Sequence, residues 1–303
     1  MTASVVQWYP APAKINLYLA VTGRRADGYH LLQTVFRFLD HGDRLAFGVR
    51  DDGRIERVNP LAGVPPETDL VVRAARLLQA ETGCPLGADL TLDKRLPMGG
   101  GLGGGSSDAA TTLLVLNRLW ATGLSRDDLQ RLAVRLGADV PVFVFGRAAF
   151  AEGIGDKLQP MALEPAWYVV LVPPVAVATA WVFGRPELTR NTPAVKMSGF
   201  SGAWRDISGE TGHHAAGAPG GALWGSNDLA PVVLDGFPEV ARHLAYLASA
   251  ADGRAGMSGS GACVFGAFTD ETQARRAFEA RPADMTGFVA RGIDLHPLFQ
   301  MVS

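Results

Sequence analysis

The fold this sequence predicts is α+β, arranged as two lobes. Three observations lead there. Its 303 residues exceed what a single hydrophobic core usually fills. Hydrophobic residues make up 48% and charged residues 19%, at a mean hydropathy of +0.11, enough apolar side chain for a sizeable core. Strand-like and helix-like runs are mixed in both halves, without the regular alternation of a doubly wound sheet and without an internal repeat.

In chain order, Ala13 to Val21 is apolar and β-prone, Gly23 to Gly28 is a polar turn, and Leu32 to Leu39 is a second strand. Thr68 or Asp69 caps a helix whose Val71, Ala74, Ala75 and Leu78 recur at helical spacing up to Gly83. Leu90 to Leu92 is a short strand running into the glycines Gly99 to Gly105. From Ser106 the pattern turns helical through Ala109, Leu113, Leu116 and Leu119, stopping at Gly123. Ser125 and Asp128 form a capping box ahead of Leu129, Leu132, Ala133 and Leu136, and Asp139 and Pro141 follow Gly137.

A boundary near Gln159 to Pro165 divides residues 1–162 from 163–303. The second lobe opens with a strand at Trp167 to Val172. Gly199 to Gly225 has neither period and reads as a loop, with His213 and His214 adjacent but lacking a third metal ligand at sensible spacing. Pro238 starts a helix carrying Val240, Leu244 and Leu247. Ala262 to Phe268 is a strand, Asp270 caps a helix to Arg281, and Gly287 to Leu295 is the last strand.

Composition excludes several classes. Lys+Arg 28 against Asp+Glu 30 gives a charge of -2 and a pI near 6.3, so no basic field awaits a nucleic-acid backbone and any anion is held by local geometry. Cys84 and Cys263 support neither a disulfide framework nor a zinc site, which suits a reducing, cytoplasmic setting. The start of the chain lacks the pattern of a secretory signal. Ala166 to Gly184 is uncharged and nearly long enough to span a bilayer, but Pro173 and Pro174 would break a spanning helix where no water can replace its hydrogen bonds; no membrane association is expected.

The densest chemical signal is LPMGGGLGGGSSDAA, from Leu96 to Ala110. Glycines let successive backbone N–H groups converge on an anion, and a helix N-terminus adds partial positive charge and unpaired donors. The loop lacks the Gly-Lys-Ser/Thr ending of a Walker A motif, and no acid stands where a dinucleotide fingerprint places one. A serine-terminated loop holding a triphosphate at a helix start fits best. Lys14, inside the apolar PAKINLYL, needs a carboxylate partner if buried. Asp139 sits between a helix-ending glycine and a proline, which projects it out of regular structure. Spacing alone does not pair the two: Lys14 could snorkel and Asp139 could cap a helix.

PAPAKINLYLAVTGRRADGYHLLQTVF, LPMGGGLGGGSSDAA, LGADVPVFVFGRAAFAEGIGD, PELTRNTP and GMSGSGACVFG, in that order from Pro10 to Phe268, closely resemble the GHMP kinase superfamily. The resemblance implies a deep cleft between two lobes, with ATP on one side and a cytidine-diphosphate-linked sugar alcohol on the other. It matches Asp139 to the catalytic base and Lys14 to the cation that orients it. Pro97, Met98, Gly99, Gly100, Gly101, Leu102, Gly103, Gly104, Gly105, Ser106 and Ser107 match the ATP loop, with Ser106 or Ser107 helping to place Mg2+. Asn16, Tyr29, His30, Thr179 and Phe183 match the cytidine side, Tyr29 and Phe183 as aromatic walls and His30 bonding the base edge. GMSGSGA, Gly256 to Ala262, matches a third motif that supports the phosphate loop. Asp69 stands where relatives commonly carry Asn, and Gly100 where they often carry Ala. Another small alcohol as acceptor, or nucleotide binding without turnover, stays open, as does monomer or homodimer; lobe closure over the ligands is expected from kinase logic.

Overall fold

The computed structural model describes residues 6–196 and 224–302. Two long strands, β1 (Trp8–Arg24) and β2 (His30–Arg50), form an antiparallel hairpin that runs the length of the first lobe. Both outrun the predicted segments. β2 continues past Leu39 through His41, Gly42, Asp43 and Arg44, a polar stretch that a strand can carry because the Asp43 carboxylate is paired inside the protein. At Gly42 a Cβ would lie 2.1 Å from the Ala11 carbonyl oxygen, so only glycine lets the strands cross there.

The rest of the first lobe is β3 (Ile55–Arg57), α1 (Leu70–Thr82), β4 (Gly87–Asp93), α2 (Gly104–Leu119), α3 (Arg126–Leu136), α4 (Val140–Phe145), β5 (Ala149–Glu152) and β6 (Lys157–Pro160). Asp69, not Thr68, caps α1, its side chain accepting from the Val71 N–H, and Gly83 closes the helix in the left-handed region. The Ser125–Asp128 capping box is present on α3, a feature stabilising by about 1 kcal/mol. The four helices pack on the sheet through a core that includes Phe36, Phe38, Leu90, Leu113 and Phe143.

The second lobe comprises β7 (Trp167–Val172), α5 (Thr179–Gly184), α6 (Ala230–Gly236), α7 (Pro238–Ala250), β8 (Ala255–Met257), β9 (Val264–Phe268), α8 (Glu271–Glu279) and β10 (Thr286–Ile293). The apolar stretch from Ala166 to Gly184 is thus a strand, a proline turn and a short helix, and no helix among the described residues is long and apolar enough to cross a membrane. The loop assigned to Gly199 to Gly225, with His213 and His214, lies outside the described residues except for its end. There, Gly225 N–H donates to the Leu17 carbonyl and Leu19 N–H to that of Ser226, so the chain after the loop pairs with β1.

The sheet order is β3-β4-β2-β10-β7-β9-β8, with β1 on β2 and the β5–β6 hairpin beside them. β10 is the seam: six of its residues pair with β7 and two with β2. A central core containing Ile15, Leu17, Leu102, Tyr168 and Cys263 lies at the join, and Leu298 and Val302 return to the core of the first lobe.

Candidate active site

A cleft of about 520 Å3 opens at the join. Its walls bring together Lys14, Asn16, Thr34 and Phe36 from the hairpin, the whole loop from Pro97 to Ser106, Asp139, Thr179 and Phe183 from the second lobe, and Gly259 and Ser260 from the β8–β9 loop.

The glycine loop leaves β4 and turns into α2, which starts two residues earlier than its sequence suggested. Gly103 is the N-cap, in the left-handed region, and no side chain caps the helix, so the first-turn N–H groups of Gly104, Gly105 and Ser106 keep their donor capacity at the cleft wall. The glycines serve packing as much as ligand approach. A Cβ at Gly101 (φ +76°) would lie 2.1 Å from the Ser258 carbonyl oxygen, and one at Gly103 (φ +70°) would press on Lys14 and Phe143 at 3.0 Å. Ser258, fully buried, donates its hydroxyl to the Gly101 carbonyl at 2.8 Å, and Cys263 N–H donates to that of Gly100 at 3.1 Å. The GMSGSGA segment is therefore the mould against which the loop is set.

Lys14 is 2% exposed, which rules out snorkelling. Its Nζ lies 3.1 Å from Asp139 Oδ2 and donates to Asn16 Oδ1 at 2.7 Å, with the Phe36 ring centroid 5.4 Å away. Asp139 is the N-cap residue of α4 by position but makes no side-chain cap bond, so its carboxylate is left for Lys14 and the cleft. The Lys14 backbone N–H also donates to the Leu102 carbonyl, tying the cation's strand to the glycine loop. Asn16 is occupied in this network. Its amide nitrogen donates to Thr34 Oγ1 at 2.8 Å while its oxygen accepts from Lys14, so it orients the lysine first.

On the opposite side, Phe183 lines the cleft and stacks on His30, ring centroids 4.7 Å apart. Arg190 Nε donates to His30 Nε2 at 3.2 Å, and burial, aided by Arg190 and Arg24, holds that imidazole below its ordinary pKa. Thr179 Oγ1 and Ser260 Oγ are hydrogen-bonded at 2.8 Å, linking α5 to the β8–β9 loop. Three expected site residues, His30, Tyr29 and Ser107, are not on the cleft wall; His30 stacks on the wall residue Phe183. Tyr29 sits on the turn between the long strands and is 63% exposed; His30, not Tyr29, is the ring against Phe183. Ser107 points into the protein, fully buried with its hydroxyl lacking a partner, because α2 begins early enough to rotate it away from the cleft.

Sequence reasoning passed over the group beneath the loop. Lys94 Nζ bridges Asp43 Oδ2 at 2.6 Å and Asp108 Oδ2 at 2.9 Å, and Asp43 Oδ1 accepts the N–H groups of Arg95 and Leu96 where the loop departs. Burial pushes the Asp108 carboxyl up to about 7 against the pull of Lys94, and its Oδ1 has no partner. Burial works against the Lys94 ammonium, yet the two carboxylates hold it above the ordinary lysine range. Asp43, an acid in the polar stretch just past a β-prone run, was the available signal. Asp69 also lines the cleft, with Arg57 Nε 3.5 Å from its Oδ2.

A helix N-terminus at a glycine loop, sharing a two-lobe cleft with an ion-paired carboxylate, defines a phosphotransferase for small molecules. Residues 69–147 match the GHMP kinases N terminal domain, and residues 213–286 the family described as GHMP kinases C terminal. The chain belongs to the GHMP kinase family. It is 56% identical over 296 residues to the 4-diphosphocytidyl-2-C-methyl-D-erythritol kinase of Thiobacillus denitrificans, covering 98% of this chain and 99% of that one. It is 58% identical over 290 residues to the same-named enzyme of Nitrosospira multiformis, covering 95% and 92%. A crystal structure of 4-(cytidine 5'-diphospho)-2C-methyl-D-erythritol kinase superposes with a TM-score of 0.78 at 35% identity, covering 94% of this chain and 99% of that one. The Methanococcus jannaschii mevalonate kinase, 14% identical with a TM-score of 0.67 over 96% and 99%, shares the fold.

Proposed function

We propose that this chain transfers the γ-phosphoryl group of ATP to the 2-hydroxyl of 4-diphosphocytidyl-2-C-methyl-D-erythritol, a step of isoprenoid precursor biosynthesis by the non-mevalonate route, in the cytoplasm. The observation that carries the mechanism is the Lys14–Asp139 pair, 3.1 Å apart in the same cleft as the N-terminus of α2. Asp139 accepts the hydroxyl proton as that oxygen attacks the γ-phosphorus and the bond to ADP breaks. Lys14 orients the carboxylate and offsets charge on the transferring group. The glycine loop, Pro97 to Ser106, holds the phosphates through backbone N–H groups. Phe183 and His30 take the cytosine, and Thr179 faces the sugar alcohol; a base with the wrong edge would leave buried donors and acceptors unpaired. Residues 1–162 are the N-terminal GHMP kinase domain, with the ATP loop and the base, and residues 163–303 the C-terminal GHMP kinase domain.

Among the described residues no cluster of three or more acidic, His or Cys side chains stands ready for a metal. Mg2+ would come with the nucleotide phosphates, and the Ser106 hydroxyl at the cleft wall is the protein group that would touch its shell. An ion held there would supply charge neutralisation on the phosphates.

The test is ADP release from Mg-ATP by wild type and Asp139→Asn, with the cytidine compound offered beside homoserine, mevalonate and galactose. Turnover confined to the cytidine compound, and reduced about 100- to 10,000-fold by the substitution, is the expected result. Turnover of another alcohol would overturn the substrate and keep the mechanism; nucleotide binding with no turnover of any would overturn both.

A further inference from the structure

The helix α4 that begins at Asp139 is six residues long, about 9 Å, and no side-chain cap fixes its first turn. Its far end is held from outside. Arg126, the first residue of α3, donates through Nη1 to the Val144 carbonyl of α4 at 2.5 Å. Through Nη2 it donates to the carbonyls of Phe299 at 2.5 Å and Val302 at 2.7 Å. Its guanidinium also lies over the Phe299 ring, 4.4 Å from the centroid. A cation at a helix N-terminus opposes the helix dipole, and burial lowers the pKa of this one with Arg147 adding to it, so these contacts offset a local cost.

The segment from Asp294 to Val302 that Arg126 grips lies along the end of α4. His296 N–H donates to the Gly146 carbonyl at 2.9 Å and Ala148 N–H to that of Asp294 at 2.8 Å. The buried His296 ring meets Phe38 edge-on at 5.8 Å, and Phe38 stacks on Phe143 of α4 at 5.5 Å. At Gly146 (φ +73°), which closes α4, a Cβ would lie 2.8 Å from the Phe299 ring and 3.3 Å from Arg126 Nη1. No slack exists at this end of the helix.

We propose that Arg126 is a positioning residue for phosphoryl transfer: by clamping residues 294–302 onto the C-terminal end of α4, it fixes where the other end of that short helix presents Asp139 to Lys14. This rests on the reading of Asp139 as the base. A tilt of so short a helix about its clamped end is enough to displace the carboxylate, and a misplacement of about 1 Å costs on the order of 100-fold in rate.

The experiment compares kcat and KM for both substrates in wild type, Arg126→Met, Arg126→Lys, Asp139→Asn and the Arg126→Met/Asp139→Asn double variant. Each is assayed well below its Tm, with the folded fraction checked by circular dichroism. Arg126→Met should lower kcat about 10- to 100-fold with both KM values within about two-fold of wild type. Arg126→Lys, whose ammonium still reaches carbonyls, should recover part of the loss. The decisive arm is the double variant: a residue that acts through Asp139 adds nothing once Asp139 is gone, so its kcat should equal that of Asp139→Asn. Wild-type kcat in folded Arg126→Met, multiplicative losses in the double variant, or a parallel rise of both KM values would overturn the proposal. Wild-type kcat in Asp139→Asn would instead overturn the base. If Arg126→Met does not fold, Phe299→Leu removes the ring beneath the guanidinium and should show a smaller, KM-neutral loss of kcat; an unchanged kcat there would overturn the clamp.

Discussion

Gly100 shows how one side chain can set the identity of another far along the chain. That this position is glycine has a local cause, because a Cβ there would lie 2.6 Å from Cys263 Sγ and 3.3 Å from Pro97 Cγ. Cys263 is fully buried, and burial pushes its thiol up to about 12, so it packs as a small hydrophobe and not as a nucleophile. Gly100→Ala should therefore overpack the junction of the phosphate loop and the β8–β9 loop, destabilising by about 1–3 kcal/mol. Cys263→Ala makes the room, so Gly100→Ala should cost less in that background, with a coupling of about 0.5–3 kcal/mol in a thermal-unfolding cycle of the four proteins. Equal costs in the two backgrounds would show that the sulfur is not what excludes alanine. The same distance in sequence explains why Lys14 and Asp139 were each legible as unusual residues while their pairing was not. A buried lysine announces a need for a carboxylate, but only the packing of α4 against the hairpin says which one.

Elements with a full period were legible, and their caps with them: Asp69 and Gly83 bound α1, Ser125 and Asp128 open α3, and Asp270 opens α8. Strands β3, β5 and β6 and helices α4, α5 and α6 run three to seven residues, too few to display a period, so tertiary pairing alone defines them. The middle of β2 was obscured for another reason. His41 to Arg44 carries the polarity of a turn, yet Asp43 reaches inward to Lys94 and Asp108, pinning β2, the exit of β4 and the first turns of α2 into one unit. This unit titrates. Because the folded-state pKa of Asp108, about 7, lies above its ordinary value of 3.8, the folded protein holds a proton that the unfolded chain has released between those two values. The stability this contributes is greatest near pH 4, falls as pH rises to about 7, and is flat above. Asp108→Asn mimics the protonated form at every pH. Its Tm relative to wild type should rise by several °C from pH 5 to pH 8. A constant difference across that range would mean that Asp108 stays ionised in the fold.

For the molecule as a whole, the boundary at Gln159 to Pro165 reads as a linker in sequence, and its polar and proline residues are real, but the structure stitches it down. Gln159 and Pro160 belong to β6, which pairs with β5. Arg37, from the first lobe, donates to the Glu164 carbonyl at 2.7 Å and the Gly292 carbonyl at 3.2 Å and lies 3.3 Å from Asp294 Oδ1, while Asp294 Oδ2 accepts the Leu163 N–H at 3.0 Å. Gly292 admits this guanidinium, since a Cβ there would stand 2.5 Å from Arg37 Nε. Two lobes joined by a free linker would unfold separately. Two lobes sharing β10, with a buried arginine sewing that strand and the linker to β2, should unfold in one transition whose calorimetric and van't Hoff enthalpies agree. Strand pairing across the seam spans only two residues on the β2 side, so the arginine carries much of the coupling. Arg37→Met leaves Asp294 without its cation and the two carbonyls without their donor. Asp294 is 35% exposed and can be solvated, so the loss is set by the two unsatisfied carbonyls, about 1–3 kcal/mol, enough to lower the Tm by several °C and to separate the lobes into two calorimetric transitions. A single, barely shifted transition in Arg37→Met would place the coupling in the apolar core at the join instead, where Tyr168, Cys263 and Leu102 meet.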